Sequence, residues 1–251
     1  MAVADPIEQF EVKKLFELTI AGTDLSFTNA SAYMMLAVGV VVALFGYTAT
    51  RNTLVPDRLQ SVGEIGYEFV ANMIRGVAGE DGLRFFPFVF TLFFFIFAAN
   101  MIGMVPYAFT TTSHVIVTGA LALLVIGIVI VYGIFKNGGQ FFRLFAPAGA
   151  PWPIYLILVP IEIISFLARP LTLALRLFAN MLAGHIMLKL FAGFAVSLAG
   201  AGIVYLPLAA LSFGMGVALN ALEFLVAFLQ AYVFAILTCV YLNDALHPGH
   251  H

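Results

Sequence analysis

The sequence predicts an all-α polytopic membrane protein of about six helices, and three observations lead to that class. The chain of 251 residues is 63% hydrophobic and only 10% charged, whereas soluble domains carry about 25% charged residues. Uncharged stretches of about 20 residues, enough for a helix to cross the hydrocarbon, recur along it. Basic blocks, phosphate-binding loops, metal-ligand clusters and nucleophile motifs do not occur, which argues against nucleic-acid binding, a cofactor, a metal site or intrinsic catalysis.

The N-terminal third predicts an arm, one span and a surface helix. Residues 1–28 are of mixed polarity without an initial apolar core, so we expect a short extramembrane arm, with a helix as one candidate conformation. The first span is predicted over 30–49, and Arg51, Asn52 and Pro56 end it. Over 57–79, apolar residues recur at helical spacing between polar ones. Such a helix is too polar to span, and we expect it on the membrane surface.

The rest of the chain predicts a membrane hairpin over 85–135 and a longer helical hairpin over 154–246. Each long segment of the second hairpin would reach about 60 Å as one helix, although the hydrocarbon is only about 30 Å thick. Each therefore either folds back as two spans or is steeply tilted, and the sequence leaves both alternatives open. The whole chain, 1–251, is interpreted as a single membrane domain.

Basic residues in the connections predict the orientation. They flank the first connection and lie in the third, whereas the second and fourth connections have none: Arg51, Arg58, Arg75, Arg84, Lys136 and Arg143. Since basic residues in short loops favour the cytoplasmic side, we expect the N-terminus outside and, after five crossings, the C-terminus inside.

Arg176 is the most informative residue, because it stands in a long apolar stretch. Arginine keeps its proton in proteins, and at the bilayer centre it costs about 2.5–3.5 kcal/mol on insertion scales. Thr172, Arg176 and Asn180 are spaced by four, so they share one helix face. His185 lies about half a turn away in azimuth, and Glu162 precedes Arg176 by fourteen residues.

The last segment carries Glu223 and Gln230 seven residues apart, on one stripe. Antiparallel packing of the long segments would bring Gln230 near Arg176 and Glu223 near His185. A His–Glu pair can exchange a proton near neutral pH, which Arg176 cannot do.

Structural interpretations of the same residues remain open. Glu162 could form an ion pair with Arg169, and Arg176 could serve in structural pairing alone. His185 could simply hydrogen-bond a neighbouring helix, and Asn180 and Gln230 could join helices by hydrogen bonds. The residues indicate ion movement through a membrane, but they do not distinguish an ion-coupled transporter from a subunit of a proton channel.

Two segments resemble subunit a of the F-type ATP synthase, closest to alphaproteobacterial and mitochondrial members. The first runs from Leu175 to His185 as LRLFANMLAGH, and the second from Glu223 to Leu242 as EFLVAFLQAYVFAILTCVYL. The resemblance implies two long, tilted helices beside a rotor ring, with the essential arginine at Arg176 facing a ring carboxylate. It further implies an outer half-channel with Asn180, His185, Glu223 and Gln230, and an inner one with Glu162 and, nearby, Thr172.

The function implied by this resemblance is a proton-conducting stator subunit that couples proton flow to rotation and is not an enzyme by itself. The implied partners are the subunit c ring, peripheral-stalk subunit b, other ATP synthase subunits and lipid, in a bacterial inner membrane. Some bacterial members carry the His–Glu pair with its positions exchanged, which fits a proton relay. The alternatives are an ion-coupled secondary transporter and a non-conducting assembly scaffold.

Overall fold

The computed structural model describes residues 14–16, 19–20, 23–24, 26–50, 56–105, 108–138 and 152–246. Within these ranges it contains six α-helices: α1 (Asn29–Ala49), α2 (Arg58–Ala78), α3 (Phe86–Gly103), α4 (Val115–Asn137), α5 (Trp152–Ala201) and α6 (Leu206–Leu246). The predicted all-α class is therefore confirmed. Residues 1–13 of the predicted arm, Arg51 and Asn52 after the first span, and Arg143 of the third connection lie outside the described ranges.

The chain divides into two compact units, which are described separately. The first contains 1–41, 95–114 and 177–230, and the second contains 42–94, 115–176 and 231–251.

The described part of the N-terminal arm contains short strands rather than a helix. They are β1 (Lys14–Phe16), β2 (Thr19–Ile20), β3 (Thr23–Asp24) and β4 (Phe27–Thr28). β1 pairs with β4 and β2 with β3, both antiparallel, so one short hairpin is nested inside another. Thr and aromatic residues favour extended structure, and these pairings override the helical alternative for this segment.

Capping groups define both ends of α2. Asp57 precedes the helix in an extended conformation, and its carboxylate accepts from the Arg58 backbone N–H at 2.8 Å. The negative charge of this carboxylate also interacts favourably with the positive end of the helix dipole. Gly79 ends it with φ of 65°, where its N–H donates to the carbonyl of Arg75. Glycine reaches this left-handed conformation without the steric cost of a Cβ.

The apolar stripe of α2 is split between the interior and the surface. Met73 is buried, and Gly63 allows such close approach to α1 that a Cβ there would lie 2.8 Å from Thr48. The earlier members Leu59, Val62 and Ile65 are exposed. The N-terminal half of the stripe is therefore available to lipid or a partner, which suits the surface placement that we infer from its pattern.

α5 and α6 are each one uninterrupted helix, of 50 and 41 residues. At 1.5 Å per residue, helices of these lengths have an axial rise of about 75 and about 60 Å in total, at least twice the hydrocarbon thickness of about 30 Å. The folded-back alternative is therefore excluded, and tilt in the membrane remains our inference. Gly202 connects them with φ of 130°, in the region that favours glycine.

The C-terminal end of α6 is held by α4 within the second unit. The side-chain amide of Asn137 donates to the carbonyl of Ala245 at 2.6 Å, and Lys136 Nζ lies 3.5 Å from the carbonyl of Leu246. These carbonyls belong to the last turn, which lacks intrahelical partners, and a cation also complements the negative end of the helix dipole.

Much apolar surface of the helices is exposed, as in Ile116, Leu123, Leu156 and Val196. By length and composition, five helical segments among the described residues can cross a membrane: Asn29–Ala49, Glu80–Gly103, Val115–Asn137, Ile154–Ala201 and Ile203–Leu246. Exposed patches of this extent mark contact with lipid or other chains, so the fold is that of a multi-pass membrane protein.

Candidate functional site

His185 and Glu223 form a buried pair between α5 and α6 in the first unit. Their exposed fractions are 9% and 6%, and His185 Nε2 lies 3.7 Å from Glu223 Oε1. This confirms the proximity predicted from antiparallel packing. Gly184 makes the approach possible, because a Cβ at that position would lie 2.7 Å from the same carboxylate oxygen.

A second contact joins the same two helices. The Asn180 side-chain amide donates to Gln230 Oε1 at 3.3 Å, and Gln230 is buried. The sequence predicted Arg176 as the neighbour of Gln230, whereas the partner found is Asn180, one turn further along α5. Asn180 and Gln230 thus join the helices, as one of the structural interpretations expected.

Two polar residues that the sequence motifs did not single out complete the buried tract. Asn100 of α3 is fully buried and donates to the carbonyl of Ala227 at 3.2 Å. The hydroxyl of Thr110 lies 3.0 Å from His185 Nε2. The only sequence signal for Asn100 is its polarity near the end of an apolar span. Thr110 falls in the connection within the hairpin predicted over 85–135, where no motif marks it.

Several polar atoms of this tract are buried without a hydrogen-bond partner among the described residues. They are Asn100 Oδ1, both carboxylate oxygens of Glu223, and Gln230 Nε2. Buried polar atoms in proteins are almost always satisfied by protein groups or by water. These oxygen and nitrogen atoms are therefore available for hydrogen bonds with water.

Arg176 has a different environment in the second unit. Its side chain is exposed, and so are the apolar neighbours Leu171 and Leu175. Among the residues that the structure describes, the guanidinium has neither an ion pair nor a hydrogen bond. An arginine on an apolar helix surface is costly in a membrane without a counter-charge.

Glu162 and Thr172 also belong to the second unit. Glu162 is half-buried and, within the described residues, forms no ion pair with Arg169. Thr172 is exposed, and its hydroxyl donates to the carbonyl of Arg169 at 2.8 Å. Nowhere in the described ranges do three His, Cys, Asp or Glu residues lie close enough to hold a metal ion.

The fold and these residues define a class: a multi-pass helical membrane protein with a buried acid–base pair and a surface arginine. The family model described as ATP synthase A chain matches residues 31–243. ATP synthase subunit a of Hyphomonas neptunium is 71% identical, with 98% of each chain covered. The subunit a of Mesorhizobium japonicum is 57% identical, again with 98% of each covered. That of Maricaulis maris is 58% identical over the full length of both.

The chain belongs to the ATP synthase subunit a family. It is accordingly a bacterial, membrane-spanning subunit of the rotary proton-translocating ATP synthase, and it is not catalytic by itself. Other ATP synthase subunits are its partners, and the secondary-transporter alternative is not favoured.

Proposed function

We propose that the chain provides two offset half-channels through which protons reach and leave a carboxylate on the subunit c ring. The observation that carries this proposal is the buried His185–Glu223 pair, 3.7 Å apart, in a tract with orphaned polar atoms. A carboxylate and an imidazole at this distance can be joined by one water and can exchange a proton. A core that serves only for packing gains little stability from buried ionisable side chains of this kind.

The outer half-channel would use the polar residues of the first unit. A proton entering from outside moves by way of water to His185 and Glu223, and Asn180 and Gln230 line the same tract. It then neutralises the ring carboxylate. The neutral group can enter lipid, where its ionised form would be costly.

Arg176 would act on the ring carboxylate by charge. A guanidinium keeps its proton, so Arg176 favours the ionised acid without carrying a proton across. Its exposure and its lack of an internal counter-charge among the described residues support this role. A fixed cation between the two half-channels blocks a direct proton leak.

The inner half-channel would use Glu162 and Thr172, which precede the arginine on α5 by fourteen and four residues. The ring carboxylate releases its proton there after nearly a full rotation. Each charge that crosses 100 mV contributes about 2.3 kcal/mol, so several protons are summed for each ATP.

The proposed partners are the subunit c ring and peripheral-stalk subunit b, and the proposed location is the bacterial inner membrane. The exposed apolar face of α5, with Leu167, Leu171 and Leu175, fits a moving ring and lipid. The exposed stripe of α2, formed by Leu59, Val62 and Ile65, is available to the membrane surface or the stalk.

An exchange of the His–Glu pair tests the proposal. His185→Glu and Glu223→His are introduced singly and together in the assembled ATP synthase, and ATP-driven proton pumping is measured in inverted membrane vesicles. The double variant restores an acid–base pair, so it should pump faster than the worse single variant. Leu225→Ala, a change at an exposed apolar residue of the same helix, serves as a control that retains pumping.

A double variant that pumps no faster than either single variant contradicts a coupled pair. Full pumping by both single variants in assembled complexes would instead support the scaffold alternative.

A further inference from the structure

Thr110 lies outside both motifs that carry the family resemblance, yet its hydroxyl reaches the buried histidine. It belongs to the connection between α3 and α4, and it is only 1% exposed. Its Oγ1 lies 3.0 Å from His185 Nε2, a contact between residues 75 positions apart. A distance of 3.0 Å is that of a hydrogen bond.

The direction of this hydrogen bond follows from a second one. Thr110 Oγ1 donates to the backbone carbonyl of Gly103 at 3.3 Å. A hydroxyl has a single hydrogen to donate but can accept as well. With that hydrogen directed at Gly103, Thr110 can accept from His185, which corresponds to the tautomer with the proton on Nε2.

The hydroxyl is held in place from two sides. A Cβ on Gly103 would lie 2.7 Å from Thr110 Cγ2, so the glycine permits the close packing of the threonine. The carbonyl of Thr110 accepts from the Ser113 hydroxyl at 2.6 Å and from the Ser113 backbone N–H. The ring of His185 therefore meets a fixed partner rather than a mobile side chain.

We propose that Thr110 is a positioning residue for the proton path: it accepts a hydrogen bond from His185 Nε2 and holds the imidazole apart from Glu223. This inference rests on the proposed function, since its consequence is a change in proton flow. His185 Nε2 and Glu223 Oε1 are 3.7 Å apart, too far for a direct hydrogen bond.

The separation between His185 and Glu223 matters because a direct hydrogen bond between them would be strong. A direct hydrogen bond between a protonated imidazole and a carboxylate is charge-assisted and about twice as strong as a neutral one. Such a bond would retain the proton on the pair. With Nε2 donating to the neutral Thr110 hydroxyl instead, the proton is held by the weaker, uncharged kind of hydrogen bond.

The test compares substitutions at Thr110 that separate its hydroxyl from its shape. Thr110→Val keeps the shape and removes the hydroxyl, and Thr110→Ser keeps the hydroxyl and removes the methyl group. Each variant is assembled into the complete ATP synthase, and ATP-driven pumping in inverted vesicles is normalised to the amount of assembled complex.

Thr112→Val is the matched control. Thr112 is fully buried two residues away, and its hydroxyl has no hydrogen-bond partner among the described residues. The same substitution there removes a buried hydroxyl without breaking a hydrogen bond.

We expect Thr110→Val to lower pumping about three- to tenfold, the range that follows from losing one buried hydrogen bond. Thr110→Ser and Thr112→Val should stay within about twofold of the unmodified complex. The opposite order, with Val active and Ser impaired, shows that only packing matters at this position and overturns the proposal.

His185→Gln is included to separate the two hypotheses. If pumping by His185→Gln is normal, the proposed proton path fails, and with it any role for Thr110 in that path. If His185→Gln is impaired while Thr110→Val matches Thr112→Val, the proton path stands and the positioning role of Thr110 is overturned.

Discussion

The ionisable residues of α5 and α6 have two kinds of surroundings. His185 and Glu223 are buried against each other, whereas Arg176 is exposed on an apolar helix surface. A group that exchanges protons benefits from enclosure with water and a partner. A permanent cation that acts on a moving acid has to be accessible to it. The two proposed roles therefore fall on residues with different surroundings.

His114 gives a prediction for pH-dependent stability outside the spans. It stacks on Phe109 with ring centroids 5.0 Å apart, and burial lowers its pKa. Below the unfolded-state pKa of about 6.5, the unfolded chain therefore binds more protons, so acid destabilises the fold, and above that pH the effect vanishes.

His114→Gln removes this titration. We expect the variant to lose less thermal stability than the unmodified subunit between about pH 7.5 and about pH 5.5. The midpoint of thermal unfolding in detergent, measured at both pH values, checks this. Equal losses in the two proteins would show that His114 makes no contribution.

Individual residues differ in how well the sequence predicted them. The spacing of residues on α5 and α6 was sufficient to predict that His185 and Glu223 lie close together, because antiparallel helices place matched positions side by side. Thr110 and Asn100 could not be found in this way, since their partners lie 75 and 127 positions away. Only the tertiary fold brings such segments together.

At the scale of helices, one glycine of α5 governs the approach of α6. A Cβ on Gly184 would lie 2.7 Å from Glu223 Oε1 and 3.0 Å from Cδ. Gly184→Ala should therefore displace the carboxylate and lower ATP-driven pumping by the assembled complex. Gly193 lies on the same helix, and no described atom outside its own helical turn lies within 4 Å of the position that a Cβ would occupy there, so Gly193→Ala is the control.

The two alanine substitutions should have different effects on pumping and stability. Alanine is favoured over glycine in a helix by about 0.5–1 kcal/mol, so Gly193→Ala should retain pumping and slightly raise stability. Equal pumping by Gly184→Ala and Gly193→Ala would show that the close packing on Glu223 has no functional role.

Elements were predicted best where periodicity and length decide the conformation. Uncharged runs of about 20 residues predicted α1, α3 and α4, and apolar residues at helical spacing between polar ones predicted α2. The nested strands between Lys14 and Thr28 were missed, because pairs of two or three residues leave no periodic signal. For the two long segments, the residues alone left the folded-back and tilted alternatives open, the resemblance implied long tilted helices, and the structure shows each as one helix.

For the whole molecule, the exposed apolar surface is as informative as the buried polar tract. Ile116 and Leu156 are more than four-fifths exposed, and many other large apolar side chains are exposed as well. Soluble proteins rarely expose apolar patches of this extent to water. Lipid and partner subunits provide the missing contacts. Each activity measurement is therefore designed for the assembled complex.

The most direct measurement of the central claim compares coupled and passive proton movement in Arg176→Ala. The account predicts that ATP synthesis and ATP-driven pumping are lost in correctly assembled complexes, while passive proton leak persists. Arg169→Ala, which removes another exposed cation of α5, should retain coupling. Normal pumping by assembled Arg176→Ala complexes would contradict the role of the fixed cation.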